Sequence, residues 1–99
     1  MSTEYKFSSR NMFTGEVIRK GVTITKSSGV LSLTSPKITV YNAATGATVT
    51  AEADATVSGG NLYANITAGS TTGSRYAIFK AVDGTNTIKA RLDFNVVQG

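Results

Sequence analysis

Cysteine, histidine and tryptophan are absent from the 99 residues, and proline occurs once. Without cysteine there is no disulfide framework and no thiolate ligand, and without histidine no imidazole metal site. Both Ser-His and Cys-His nucleophilic arrangements are excluded, and with them most hydrolase mechanisms. The lack of cysteine leaves the redox compartment open, because a reducing and an oxidising environment leave the same trace. No apolar run reaches the length of a signal core or a membrane helix, and the start MSTEYKFSSR is polar, so neither export by a general secretion signal nor membrane insertion is expected.

What the chain does have is threonine, serine, alanine, valine and glycine, the residues of short strands and turns. A chain of this length fits one domain with a modest single core. Ten Lys and Arg against six Asp and Glu give a net charge of +4, which favours anionic surfaces without forming the dense basic stripe of a nucleic-acid binder.

The clearest pattern lies at Arg75 to Val97. Ile88, Ala90, Leu92, Phe94 and Val96 alternate with Lys89, Arg91, Asp93 and Asn95, the period-two signature of a strand with one buried face. Asp83-Gly84 begins a turn that makes the stretch a hairpin. Upstream, Glu16 to Lys26 offers two half-strands with a bulge or bend expected at Gly21. Val30 to Leu33 is expected to plug one end of the core. Ser35-Pro36 marks the start of a strand over Lys37 to Tyr41, since proline suits a first position. Ala47 to Ala51 returns as its antiparallel partner, and a strand around Leu62 to Ile66 follows the Gly59-Gly60 turn. The small-residue loop TAGSTTGS is long enough to cross between sheets. About seven short strands with this spacing predict an all-β sandwich.

Residues 1–15 fit that sandwich least well and read as an N-terminal arm or first strand, with residues 16–99 as the domain. Phe7, Arg10, Met12 and Phe13 lie in this segment. Exposed apolar residues in an arm point to an interface, and the same residues could fold back to cap the core. A second candidate surface comprises Lys80, Lys89 and Arg91 on the hairpin, with Lys37 nearby if strands pair as usual. It reads either as a docking patch for nucleic acid or an acidic partner, or as a soluble edge on which lysines discourage foreign strands. Aromatics suited to base stacking are few, which argues against specific nucleic-acid binding.

Other motifs have simpler explanations. Glu52 and Asp54 share one face of an extended segment as acid/base or calcium carboxylates do, yet two acids make a poor cage, and solvated strand-end charges suffice. Asp83-Gly84-Thr85-Asn86 echoes a calcium loop without its later acidic ligands, so turn geometry explains it. Asn65-Ile66-Thr67 matches the glycosylation pattern by chance. No catalytic, metal or cofactor residue is assigned.

The ending GSRYAIFKAVDGTNTIKARLDFNVV resembles the last two strands of immunoglobulin-like domains, with Tyr76 placed for a tyrosine corner and Ile78 where true immunoglobulins carry cysteine. The order KITVYNAATGATVTAEA, then GGNLYANITAGSTTGSRYAIFKAVDG, is similar to small immunoglobulin-like proteins of tailed-phage virions over residues 16–97. That resemblance implies an immunoglobulin-like antiparallel β-sandwich with an extended N-terminal arm. It implies a non-enzymatic virion subunit made in the host cytoplasm, without cofactors, and most simply a head decoration protein. The partners implied are the major capsid protein or other virion proteins, with the chain present as a homo-oligomer or in many copies on a lattice. Neck or tail accessory proteins belong to the same group. A carbohydrate-binding or adhesion module is the alternative from another class; it predicts two or more of Tyr5, Tyr41, Tyr63 and Tyr76 exposed on one face.

Overall fold

A computed structural model describes residues 2–4, 11–25 and 31–99, and among them the chain is all strand and turn. The strands are β1 (Ser2–Glu4), β2 (Met12–Phe13), β3 (Val17–Thr25), β4 (Leu33–Asn42), β5 (Thr48–Asp54), β6 (Thr56–Ser58), β7 (Asn61–Thr67), β8 (Gly73–Asp83) and β9 (Asn86–Val97). They form two sheets, in the orders β1-β3-β7-β6 and β2-β9-β8-β4-β5.

The β8–β9 hairpin anticipated from alternation is the longest element, with Asp83 opposite Asn86 across a Gly84-Thr85 loop. Gly84 takes φ +62°, a backbone conformation that a Cβ penalises. Period-two alternation sends Ala90, Leu92, Phe94 and Val96 inward from β9, and Ala77, Phe79 and Ala81 from β8. Ile38 and Val40 of β4 join them, facing Val22 and Ile24 of β3 and Leu62 and Ile66 of β7. Each large side chain so buried stabilises the fold by about 1.5–3 kcal/mol relative to exposure.

Several expectations are corrected. Nine strands are present among the described residues rather than about seven. Of residues 1–15, read as an arm or a first strand, the described parts include two short strands, one in each sheet: β1 pairs antiparallel with β3, and β2 pairs parallel with β9. The β2–β9 pair also makes the second sheet mixed rather than purely antiparallel. Gly21 makes no bulge, because the β3–β7 register runs unbroken from Val17↔Thr67 to Thr23↔Asn61. Pro36 sits inside β4, at a register shift between Thr34 and Lys37 where Ser35 has φ 52°. An irregularity of this kind is where a strand tolerates a residue without an N–H. Leu33 is buried and Leu31 packs against the core, while Val30 lies outside the described residues.

The Tyr76–Ile78 assignment is inverted. Both occupy the outward half of β8, and the inward half is Arg75, Ala77, Phe79, Ala81 and Asp83. A one-residue change of register exchanges the two faces of a strand, and burial of Phe79 decides between them. Arg75 is therefore an inner-face residue, donating from Nη2 to the Thr71 carbonyl at 3.0 Å and from Nη1 to the Ser74 carbonyl at 3.2 Å. Asp83 is also buried, and its Oδ1 accepts the Ser32 amide at 3.2 Å, so it ties down the segment before β4 as well as opening the turn.

Lys20 is the largest inner-face surprise. It is 0 % exposed between Ile18 and Val22, with Nζ 5.2 Å from the centre of the Phe94 ring. Chain closeness also matters at Gly60, where a Cβ would stand 2.5 Å from the Ile24 carbonyl oxygen. That approach lets the Ile24 amide donate to the Gly60 carbonyl at 2.7 Å.

The sheets are closed unequally. β5 is exposed along its whole length, and between it and β7 an open groove of ≈ 230 Å³ is lined by Ile38, Val40, Ala53, Ala64 and Ile66. The free edges are β1, β2 and β6, of three residues or fewer, and β5, which carries two register shifts against β4. Short strands and bulges are the usual means of blunting an edge.

Candidate functional site

The sheet register brings the sequence-selected cations together on the outer face of β4, β8 and β9. Three cross-strand rows follow from the pairing: Tyr41–Tyr76–Asp93, Thr39–Ile78–Arg91 and Lys37–Lys80–Lys89. Adjacent rows are two residues apart along each strand, so the outer rows are about 13 Å from one another. Ile78 and Arg91 of the middle row line a trough. Its open concavity measures ≈ 570 Å³ and is lined by Tyr41, Tyr76, Ile78, Lys89 and Arg91 together with Ala90.

The aromatic wall is a stack. Tyr41 and Tyr76 have ring centres 5.0 Å apart at an interplanar angle of 24°. The Arg91 guanidinium carbon lies 4.0 Å from the Tyr76 centre. A guanidinium that close occupies one ring face, so Tyr41 must cover the other, as the strand order β4-β8-β9 requires. Arg91 Nε also donates to Asp93 Oδ1 at 2.9 Å. Planar stacking combined with an ion pair fixes a side chain that would otherwise be flexible.

The basic wall opposes three like charges directly across strands, an arrangement that destabilises a sheet unless it is compensated. β5 supplies the compensation. Lys80 Nζ donates to Glu52 Oε2 at 3.0 Å, and Lys37 Nζ pairs with Asp54. Hydrogen bonding and attraction to Asp54 raise the Lys37 pKa, and the same two causes hold the Asp54 carboxyl below its ordinary range. Lys89 is exposed and makes no ion pair with a described residue.

Lys80, Lys89, Arg91 and the associated Lys37 thus form one surface. Glu52 and Asp54 are its counter-charges. The N-terminal candidates do not assemble in the same way. Met12 is 0 % exposed and belongs to the core, which removes it as a contact for a partner. Its burial follows from pairing with Val96 on an inward position of the sheet. Phe13 is 46 % exposed at the neighbouring position. Phe7, Arg10 and Tyr5 lie outside the described residues. Tyr63 stands on the outer face of the other sheet, beneath Arg19 at 4.9 Å, and Asn65 is exposed on that same β7.

Sequence reading found the cations and named Tyr41 and Tyr76 among tyrosines that an adhesion module would place on one face, but it missed their stacking, Ile78 and the trough. The available signal was the count from Asp83 back through Phe79, which separates the even from the odd positions of β8. The chain matches no family model, no curated protein and no solved structure.

Proposed function

We propose that this is an immunoglobulin-like sandwich that serves as a non-enzymatic structural subunit of a tailed-phage particle, docking in many copies on the major capsid protein as a head decoration. The strand orders support the fold assignment. An N-terminal segment divided between sheets, with its second piece parallel to the last strand, accompanies two sheets ordered β1-β3-β7-β6 and β2-β9-β8-β4-β5. Arg75 supplies, at the start of β8, a side-chain bond to backbone four residues upstream, the service that a tyrosine corner performs in such domains.

One observation carries the docking role: the rigid Tyr41–Tyr76–Arg91 stack on an exposed sheet face. Tyrosine and arginine are the residues on which protein interfaces concentrate their energy, because an ordered side chain loses little freedom on binding. Blunted edges make face docking a better mechanism than strand addition. Weak single contacts suffice when many copies share a lattice.

Sedimentation with undecorated capsids tests the reading. Wild-type protein is expected in the pellet, and Tyr76→Ala with Lys89→Glu in the supernatant. Wild-type protein that stays in the supernatant, while virions carry it elsewhere, moves the assignment to a neck or tail accessory protein.

The shared face of Tyr41 and Tyr76 favours a second reading, a carbohydrate-binding module. Its physical difficulty is that each ring covers the other and Arg91 covers the remaining face of Tyr76, which leaves one face of Tyr41 as a platform. An oligosaccharide whose binding is lost in Tyr41→Ala establishes that reading instead.

A further inference from the structure

We infer that the trough between the tyrosine and lysine rows takes an extended acidic protein segment, with an apolar side chain on Ile78 and a carboxylate held between Lys89 and Arg91; this rests on the protein-docking reading and names the chemistry of the partner. Charge decides the sign of the partner. The face carries Lys37, Lys80, Lys89 and Arg91 against Glu52, Asp54 and Asp93, and each acid is paired with one of the first three named or with Arg91. Among the described residues Lys89 is the cation left over, at the β9 end of the trough and two residues from Arg91 on the same face.

Shape decides its class. The floor is a half-buried isoleucine in an open concavity of ≈ 570 Å³, and the tyrosine and lysine rows, about 13 Å apart along the backbone, leave it the elongated form that suits one extended segment. Both faces of Tyr76 and one face of Tyr41 are already used, so the wall offers mainly ring edges and hydroxyls. These suit peptide groups and apolar side chains, whereas a sugar or base needs an open ring face. The balance of three acids against four cations also argues against a polyanion such as nucleic acid, which requires several unpaired cations. The exposed Lys37–Asp54 and Lys80–Glu52 pairs are weak enough to exchange for a partner's carboxylates.

The test uses the purified protein and a capped Asp-Leu-Asp-Leu-Glu peptide at low salt, followed by amide chemical shifts. Shifts are expected at Ile78, Lys89 and Arg91, with affinity lowered about tenfold by Lys89→Glu and by Ile78→Ser. Both positions face solvent, and unchanged thermal transitions in the variants establish that folding is intact. The inference is overturned if the peptide shifts nothing or shifts residues elsewhere, if a Lys-Leu-Lys-Leu-Lys peptide binds equally well, or if an oligothymidine or a sulfated oligosaccharide binds the trough more tightly. Because no particle is present, the result separates from the virion reading. Peptide binding without capsid binding overturns the head-decoration assignment alone, and capsid binding indifferent to Lys89→Glu overturns the trough alone.

Discussion

Lys20 and Arg75 place two cationic side chains on the inner faces of the sheets, and both adjoin Phe94: Lys20 lies near its ring, and Arg75 sits opposite it in the ladder. Arg75 is held through the Thr71 and Ser74 carbonyls. Arg75→Ala removes the donor to the Thr71 carbonyl and one of two donors to the Ser74 carbonyl, which keeps the Ala43 amide, and it vacates buried volume, so urea unfolding should show a loss of about 2–4 kcal/mol. Arg75→Met keeps the volume and should recover part of it. The exposed Lys37–Asp54 pair makes a different kind of prediction. The lowered Asp54 pKa means that its contribution is complete above the ordinary value of 3.8 and is lost as pH falls through the lowered one. The raised Lys37 pKa makes the contribution complete below 10.5, and it is lost as pH rises through the raised value. A carboxyl-carbon titration by NMR should place the Asp54 midpoint below its ordinary value, and Lys37→Met should bring it back. A midpoint unmoved by Lys37→Met would rule out Lys37 as the cause.

At the scale of elements, β2 carries more than its two residues suggest. Met12 is sealed in the core, and the Thr14 amide donates to the Val97 carbonyl at 2.9 Å. Deleting residues 1–13 therefore removes a core side chain together with β1. The thermal transition should fall by an amount corresponding to at least about 2–5 kcal/mol; an unchanged transition would mark the segment as dispensable to the fold. Sequence alone exposed the β8–β9 hairpin because one polar and one apolar face alternate without interruption in β9 and the Asp83-Gly84 turn precedes it. It concealed β2, since two residues are too few for a period, and it concealed the faces of β8, where Tyr76 and Ile78 are as apolar as Ala77 and Phe79. β3 was legible in principle: Ile18, Val22 and Ile24 keep one face, and only the lysine at position 20 breaks the apolar reading. The long stem of that lysine lets it occupy an inner position that its charge disguises. The basic half of the outer face of β4, β8 and β9 was visible as lysines and an arginine on one hairpin. Its aromatic half depended on pairing β4 with β8, which no local pattern specifies.

For the whole molecule, the two sheets close tightly around Phe79, Leu92 and Leu62 and open beside β5. The small side chains Ala53 and Ala64 leave the ≈ 230 Å³ groove between β5 and β7. Ala64→Val adds two carbons on the wall of that groove and should raise unfolding stability by about 0.5–1.5 kcal/mol. A loss of stability would show instead that the groove is closed in solution and overpacked by the added methyl groups.

The absence of tryptophan gives the tyrosine stack an optical consequence. All near-ultraviolet emission and aromatic dichroism in this chain come from four tyrosines and four phenylalanines, and two of the tyrosines are stacked with ring centres 5.0 Å apart. Coupled transitions in such a pair should produce a dichroic signal that disappears in Tyr41→Phe or Tyr76→Phe while the strand signal is retained. The outer face of β4, β8 and β9 then carries its own optical probe, because anything that spreads the two rings also changes the difference in absorption of left- and right-circularly polarised light that they produce.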